Sequence, residues 1–113
     1  MDNDTALKLG NAFGGGIGRS GETCGTVTGA LMIIGLKHGA SETDDKDSKQ
    51  KTYALAKEFI RRFKEMNDSV TCRDLVGFDI GLKEDLTPDD WAIISARCPK
   101  FIADAVAILE EIA

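Results

Sequence analysis

The sequence predicts an all-α fold, four or five helices packed round one central buried helix, and three observations predict it. No segment alternates apolar and polar residues for long enough to build a sheet. The stretch from Val27 to Leu36 is apolar all round, with no charge before Lys37. A helix of that kind belongs in a core or a membrane, and this one falls short of the roughly 20 apolar residues that a bilayer demands. Finally, Thr52, Leu55, Ala56, Phe59, Ile60, Phe63 and Met66 recur at helical spacing, the mark of an amphipathic helix over residues 48–66. The chain of 113 residues is long enough for one domain with one core, so residues 1–113 are expected to form a single helical domain round Thr23–Lys37.

The elements follow in order. Residues 2–13 read as a short helix, with Asp2, Asn3, Asp4 and Thr5 suited to its N-cap. Leu7, Leu9 and Phe13 give it an apolar side, and Gly10 weakens it. A glycine loop follows, Gly14 to Gly21, and Gly16, Gly18 and Gly21 satisfy G-x-G-x-x-G. That pattern reads as a dinucleotide fingerprint only after a strand and within a βαβ unit, and helix-like sequence precedes it here. The loop is better suited to tight backbone turns. Because it feeds a helix N-terminus it could also hold a small anion, which makes Gly16, Gly18, Arg19, Gly21 and Gly25 candidate binding residues. In the central helix, Gly25 and Gly29 stand four apart on one face, as if another backbone packed against them. Gly39 is a natural C-cap.

Residues 40–50 are polar and charged, a solvated linker or the start of the helix over 48–66, which Asn67-Asp68 ends. Thr71 suits the N-cap of a new short helix, with Asp74 three residues on. Residues 77–86 are irregular. Thr87-Pro88-Asp89-Asp90 is a full helix-start signal: an N-cap threonine, proline at the first position, acids in the first turn. Cys98-Pro99 is expected to interrupt that helix, since the residue before a proline avoids helical geometry. A last helix would then start at Pro99 with Cys98 as its N-cap. Trp91 and Tyr53 read as core or boundary residues.

The chain has three cysteines, and on this reading Cys24, Cys72 and Cys98 all fall at helix N-termini. Free N–H groups and the positive end of the dipole stabilise a thiolate there. A low thiol pKa is what nucleophilic, redox and metal-binding cysteines require, so at least one reactive thiol is expected, with Cys24, beside Arg19, first in line. The three are also expected to converge on one side of the molecule. No C-x-x-C occurs, which removes a thioredoxin motif, a zinc ribbon and covalent haem. The net charge of −5 speaks against nucleic acid. No basic start followed by an apolar run marks a secretory signal, so a cytoplasmic protein without a membrane span is expected.

These features together carry a family resemblance. The run from Phe13 to Gly39, with Cys24-Gly25-Thr26-Val27-Thr28-Gly29 inside it, is similar to the core of the C_GCAxxG_C_C family, whose redox role is inferred from its cysteines. Those proteins carry C-G-A-x-x-G after a glycine loop, and here Thr26 stands for the alanine. Cys72-Arg73-Asp74-Leu75 and Cys98-Pro99-Lys100-Phe101 resemble the two later sites. The family has a further cysteine on a helix upstream of the glycine loop. This chain starts too late to contain it or has lost it, so the domain is expected to lack an N-terminal helix.

The resemblance implies cysteine redox chemistry: thiol–disulfide exchange, or a metal ion or iron–sulfur cluster on Cys24, Cys72 and Cys98. Thiolates suit soft metals and clusters. Four ligands are usual, so three leave an open position for solvent or for a second subunit, and a homodimer would close the site. With three cysteines, thiol exchange is the favoured form. The alternative is a non-catalytic module that binds a small anion or a partner, its cysteines merely structural. Neither the substrate nor the redox partner is named by the sequence, nor whether the protein is an enzyme.

Overall fold

The computed structural model describes residues 1–113. Five α-helices make the molecule: α1 Asn3–Gly10, α2 Gly25–His38, α3 Lys46–Asn67, α4 Cys72–Val76 and α5 Pro88–Ile112, with short 3-10 turns at Asn11–Phe13 and Ile80–Leu82. There is no strand. An isolated antiparallel bridge joins Thr23 to Thr71. The all-α expectation holds, and no helix is long and apolar enough to cross a membrane.

The local signals behave as their chemistry dictates. Asp2 caps α1 by accepting from the Thr5 N–H at 2.8 Å. Asp45 does the same for α3 through Ser48, and Asp68, at φ 69°, ends α3 in left-handed geometry. Thr87 and Asp90 form a complete capping box on α5. At α4 the expected box is replaced by a relay: the Thr71 N–H donates to Ser69 Oγ, which donates to Asp74.

Helices α2, α3 and α5 pack on one another and enclose the main core. It contains Val27, Ala30 and Ile34 from α2, Phe59 and Phe63 from α3, and Phe101, Ala105 and Ile108 from α5. The Phe63 ring stands 5.8 Å from that of Phe59 and 6.4 Å from that of Phe101, within the range of favourable aromatic pairs. A smaller cluster of Cys72, Val76 and Ile80 lies beside it, under Ile94 and Cys98 of α5.

The expectation of a central helix buried all round is corrected. Only one stripe of α2 is buried. Met32, Ile33 and Leu36 are 44%, 50% and 77% exposed. Two long helices can cover only one side of a third, and α1, which would have to cover the other, buries none of its own residues. The glycine stripe is corrected with it. A Cβ on Gly25 would meet the Phe13 carbonyl at 3.2 Å, whereas one on Gly29 would meet nothing within 4 Å.

The interruption at Cys98-Pro99 is also corrected. Helix α5 runs unbroken for 25 residues with Pro99 inside it. Pro99 has no N–H, so the Ser95 carbonyl loses its helical partner, yet the helix persists. Ile94 and Cys98 pack on the small cluster above the proline, while Phe101, Ala105 and Ile108 pack on the main core below it. Burial on both sides of the proline outweighs a local preference of about 3 kcal/mol.

Candidate functional site: a cavity lined by three cysteines

The bridge between Thr23 and Thr71 sets the starts of α2 and α4 side by side. Each threonine is followed by a cysteine. Cys24 is the N-cap of α2, and its N–H donates to the Val70 carbonyl at 2.8 Å; Cys72 is the first residue of α4, and its N–H donates to the Glu22 carbonyl at 2.6 Å. Helix α5 brings Cys98 to the same place from its middle. Cys98 is therefore not at a helix N-terminus, and the expectation that all three cysteines start helices holds for only two of them.

The glycine loop forms the wall beside them. Gly15, Gly16, Ile17, Gly18 and Arg19 all have φ between 59° and 72°, a left-handed turn of five consecutive residues. For Ile17 and Arg19 that conformation costs about 1–2 kcal/mol each. The turn is held by bonds across it, Gly21 N–H to the Gly15 carbonyl at 3.1 Å and Glu22 N–H to the Gly16 carbonyl at 2.9 Å. Its result is close approach. A Cβ on Gly16 would lie 2.6 Å from Cys72 Cβ, and one on Gly15 would lie 2.8 Å from Arg19 Cγ. The loop backbone thus rests on Cys72, and the stem of Arg19 lies across the loop.

Between these elements is a cavity of about 260 Å³. Its lining includes Gly15, Gly16, Arg19, Gly25 and Thr26, together with an apolar set of Val76, Ile80, Leu86, Trp91 and Ile94. Cys24, Cys72 and Cys98 line it as well. Of the residues expected at the site, all three cysteines, Gly16, Arg19 and Gly25 face the cavity. Gly18 and Gly21 do not line it and serve the turn instead. Trp91 is the residue that sequence reasoning missed. It is 53% exposed, not in the core, and shares a helical face with Ile94 and Cys98 at spacings of three and seven. That periodicity was present in the sequence but was hidden by reading a helix break at Pro99.

All three cysteines are free thiols, Cys72 buried and the other two half-buried. Burial pushes the Cys72 thiol up to about 11, helped by the nearby Cys24, Cys98 and Asp79. Burial also raises Cys98, with Cys24 adding to it. A lowered pKa is therefore not found at these two. Helix α4 has five residues, too few to build a strong dipole, and Cys98 sits at no helix start. Cys24 is the neighbour common to both, close enough to raise each of the other thiols. Arg97 steadies this corner by donating to the Val76 carbonyl at 2.8 Å and so tying α4 to α5.

No group of three or more cysteine, histidine, aspartate or glutamate side chains is arranged to hold a metal ion. The three thiols share a cavity without forming a ready ligand set, and a structural zinc site or an iron–sulfur cluster takes four protein ligands as a rule.

The family described as "Putative redox-active protein (C_GCAxxG_C_C)" matches residues 1–112. No curated protein and no solved structure matches.

Proposed function

The chain belongs to the C_GCAxxG_C_C family, and on that premise we propose that it is a thiol redox protein in which Cys24 exchanges disulfides with a partner and Cys72 or Cys98 completes the exchange. The observation that carries this reading is the shared cavity: three free thiols from three parts of the chain line one space. Cys24 acts first because it stands half-buried at the N-cap of the 14-residue α2, facing the cavity, while burial raises the thiols of Cys72 and Cys98. The Cys24 sulfur attacks the partner's disulfide, and the S–S bond breaks. The released sulfur leaves as a thiolate and takes up a proton. Cys72 and Cys98, with raised pKa values, stay protonated during that step. One of them then gives up its proton and attacks the Cys24 sulfur. The second partner sulfur is released, and an internal disulfide remains. Two electrons pass from the two thiols to the partner's disulfide.

The test is oxidation of the reduced protein with glutathione disulfide, followed by peptide mapping. The expected product is an internal disulfide that includes Cys24, absent from Cys24→Ser. Three thiols that remain reduced would overturn the proposal and leave the module with structural cysteines. A disulfide formed between two chains would mean that a second subunit completes the site. The competing metal or cluster reading is decided separately, by iron, zinc and acid-labile sulfide in protein purified without oxygen; stoichiometric metal would favour it over thiol exchange.

A further inference from the structure

We infer that the substrate of this cavity is a small anionic disulfide: a low-molecular-weight molecule with an apolar body, held against Trp91 and Ile94, and a carboxylate or equivalent anion close to its S–S bond, held by Arg19. The inference rests on the thiol-exchange reading and adds a substrate class to it.

Size comes first. The cavity holds about 260 Å³. That exceeds the roughly 150 Å³ that accommodates benzene and lies below the roughly 300–1,000 Å³ of drug-sized pockets. One ring-sized apolar group with a short arm fits, and a folded protein surface does not. Ile80, Leu86, Trp91 and Ile94 offer the apolar wall, and the half-exposed indole of Trp91 gives it a flat face.

Charge comes second. The chain has five arginines. Arg61 and Arg62 pair with glutamates on α3 and α5, Arg73 pairs with Glu22, and Arg97 binds the α4 carbonyls. Arg19 lines the cavity and has no such partner within the chain. In a molecule with a net charge of −5, an unpaired guanidinium on the residue that lines the same cavity as Cys24 is available to an incoming anion. Its position is also maintained at a cost. Arg19 sits at φ 60°, a conformation that side chains rarely adopt, and Gly15 is bare where the Arg19 stem crosses it. Backbone strain of this kind persists where the surrounding structure imposes it, commonly at functional sites.

In the reaction, the Cys24 thiolate attacks the substrate sulfur next to the anionic group. The S–S bond breaks, and the other half of the substrate leaves as a thiolate. A second thiol of the cavity then displaces the bound half, so the substrate is reduced to two thiols and the protein gains one disulfide.

The test compares two aromatic disulfides on the whole protein: dithiobis(nitrobenzoate), which is dianionic, and dithiodipyridine, which is neutral. The rate of thiol release is read optically, and the modified cysteine is located by mass spectrometry. The anionic-to-neutral rate ratio should fall about twofold to fivefold in Arg19→Gln, the size expected of one exposed ion pair. Arg19→Lys should retain most of the preference, and added salt should erode it. An unchanged ratio in Arg19→Gln would overturn the inference, including the case in which both rates fall together, because Arg19 would then act only on the Cys24 thiol. Protein that reacts at Cys24 without charge preference sinks this inference and leaves thiol exchange standing. Protein that reacts at Cys24 with neither reagent sinks both.

Discussion

The main core and the cysteine cavity are built by opposite means from adjoining surfaces of the same helices. The core joins regular helices through large side chains: Phe59, Phe63 and Ile34 are fully buried, the Phe59 and Phe63 rings stack, and Phe101 meets Phe63 at a tilt. The cavity joins helix starts to a loop with little side chain, and backbone approach takes the place of side-chain packing. Its wall includes an exposed tryptophan and a left-handed turn. Helix α5 serves both regions, one on each side of Pro99. The contrast teaches where this fold draws its stability and where it gives stability up. Dense packing rewards every buried methylene; the cavity leaves apolar surface uncovered and holds two non-glycine residues in an unfavourable conformation.

That comparison can be broken by paired substitutions. Phe63→Ala should cost about 3–5 kcal/mol, as truncation of a buried aromatic does, while Trp91→Ala at the cavity should cost well under half of that. Urea unfolding of both variants measures it, and equal losses would show that the cavity is as much a part of the core as the phenylalanines.

A second pair sharpens the contrast between glycines. Gly16→Ala should lose roughly 1–3 kcal/mol to overpacking against Cys72 and Glu22, with about 1–2 kcal/mol more from the left-handed backbone. Gly29→Ala should instead gain about 1 kcal/mol, because a helical glycine that faces open space has only its flexibility to lose. Opposite signs are the expected outcome; two losses of similar size would place a hidden neighbour on the outer face of α2.

The gentlest effect is a pH slope. With its pKa pushed up to about 11 in the folded protein, the Cys72 thiol remains protonated where the unfolded chain, near the usual value of about 8.5, has already ionised. The folded state therefore binds more protons between those limits, and stability should fall as pH rises through that window. Below it the contribution is complete. Unfolding curves from pH 8 to about 11 should slope less in Cys72→Ala than in the parent. Identical slopes would show a Cys72 thiol that titrates as it does in the unfolded chain.

Much of this was legible in the residue order. The helix over residues 48–66 is observed as Lys46–Asn67, since a three-and-four spacing of apolar side chains allows no other element. Thr87-Pro88-Asp89-Asp90 starts a helix where it should. The meeting of Cys24 with Cys72 follows from an up-and-down path, whereas Cys98 joins them from within α5 and not from a helix start, and the motif round Cys24 names the family. What was legible acts within a turn or two of chain: a cap, a period, a motif.

Three features needed the assembled molecule. Whether α2 is enclosed depends on how many helices reach it, and two do not suffice. Whether Pro99 breaks α5 depends on what packs above and below it, and burial there exceeds the local penalty. Whether a cysteine is a ready thiolate depends on the length of the helix that it starts and on how much water reaches its sulfur; α4 is too short and Cys72 too buried. Local propensities are worth about a kilocalorie per residue, and burial of one large side chain is worth two or three. Local signals therefore decide an element wherever packing agrees with them, and tertiary structure decides the rest.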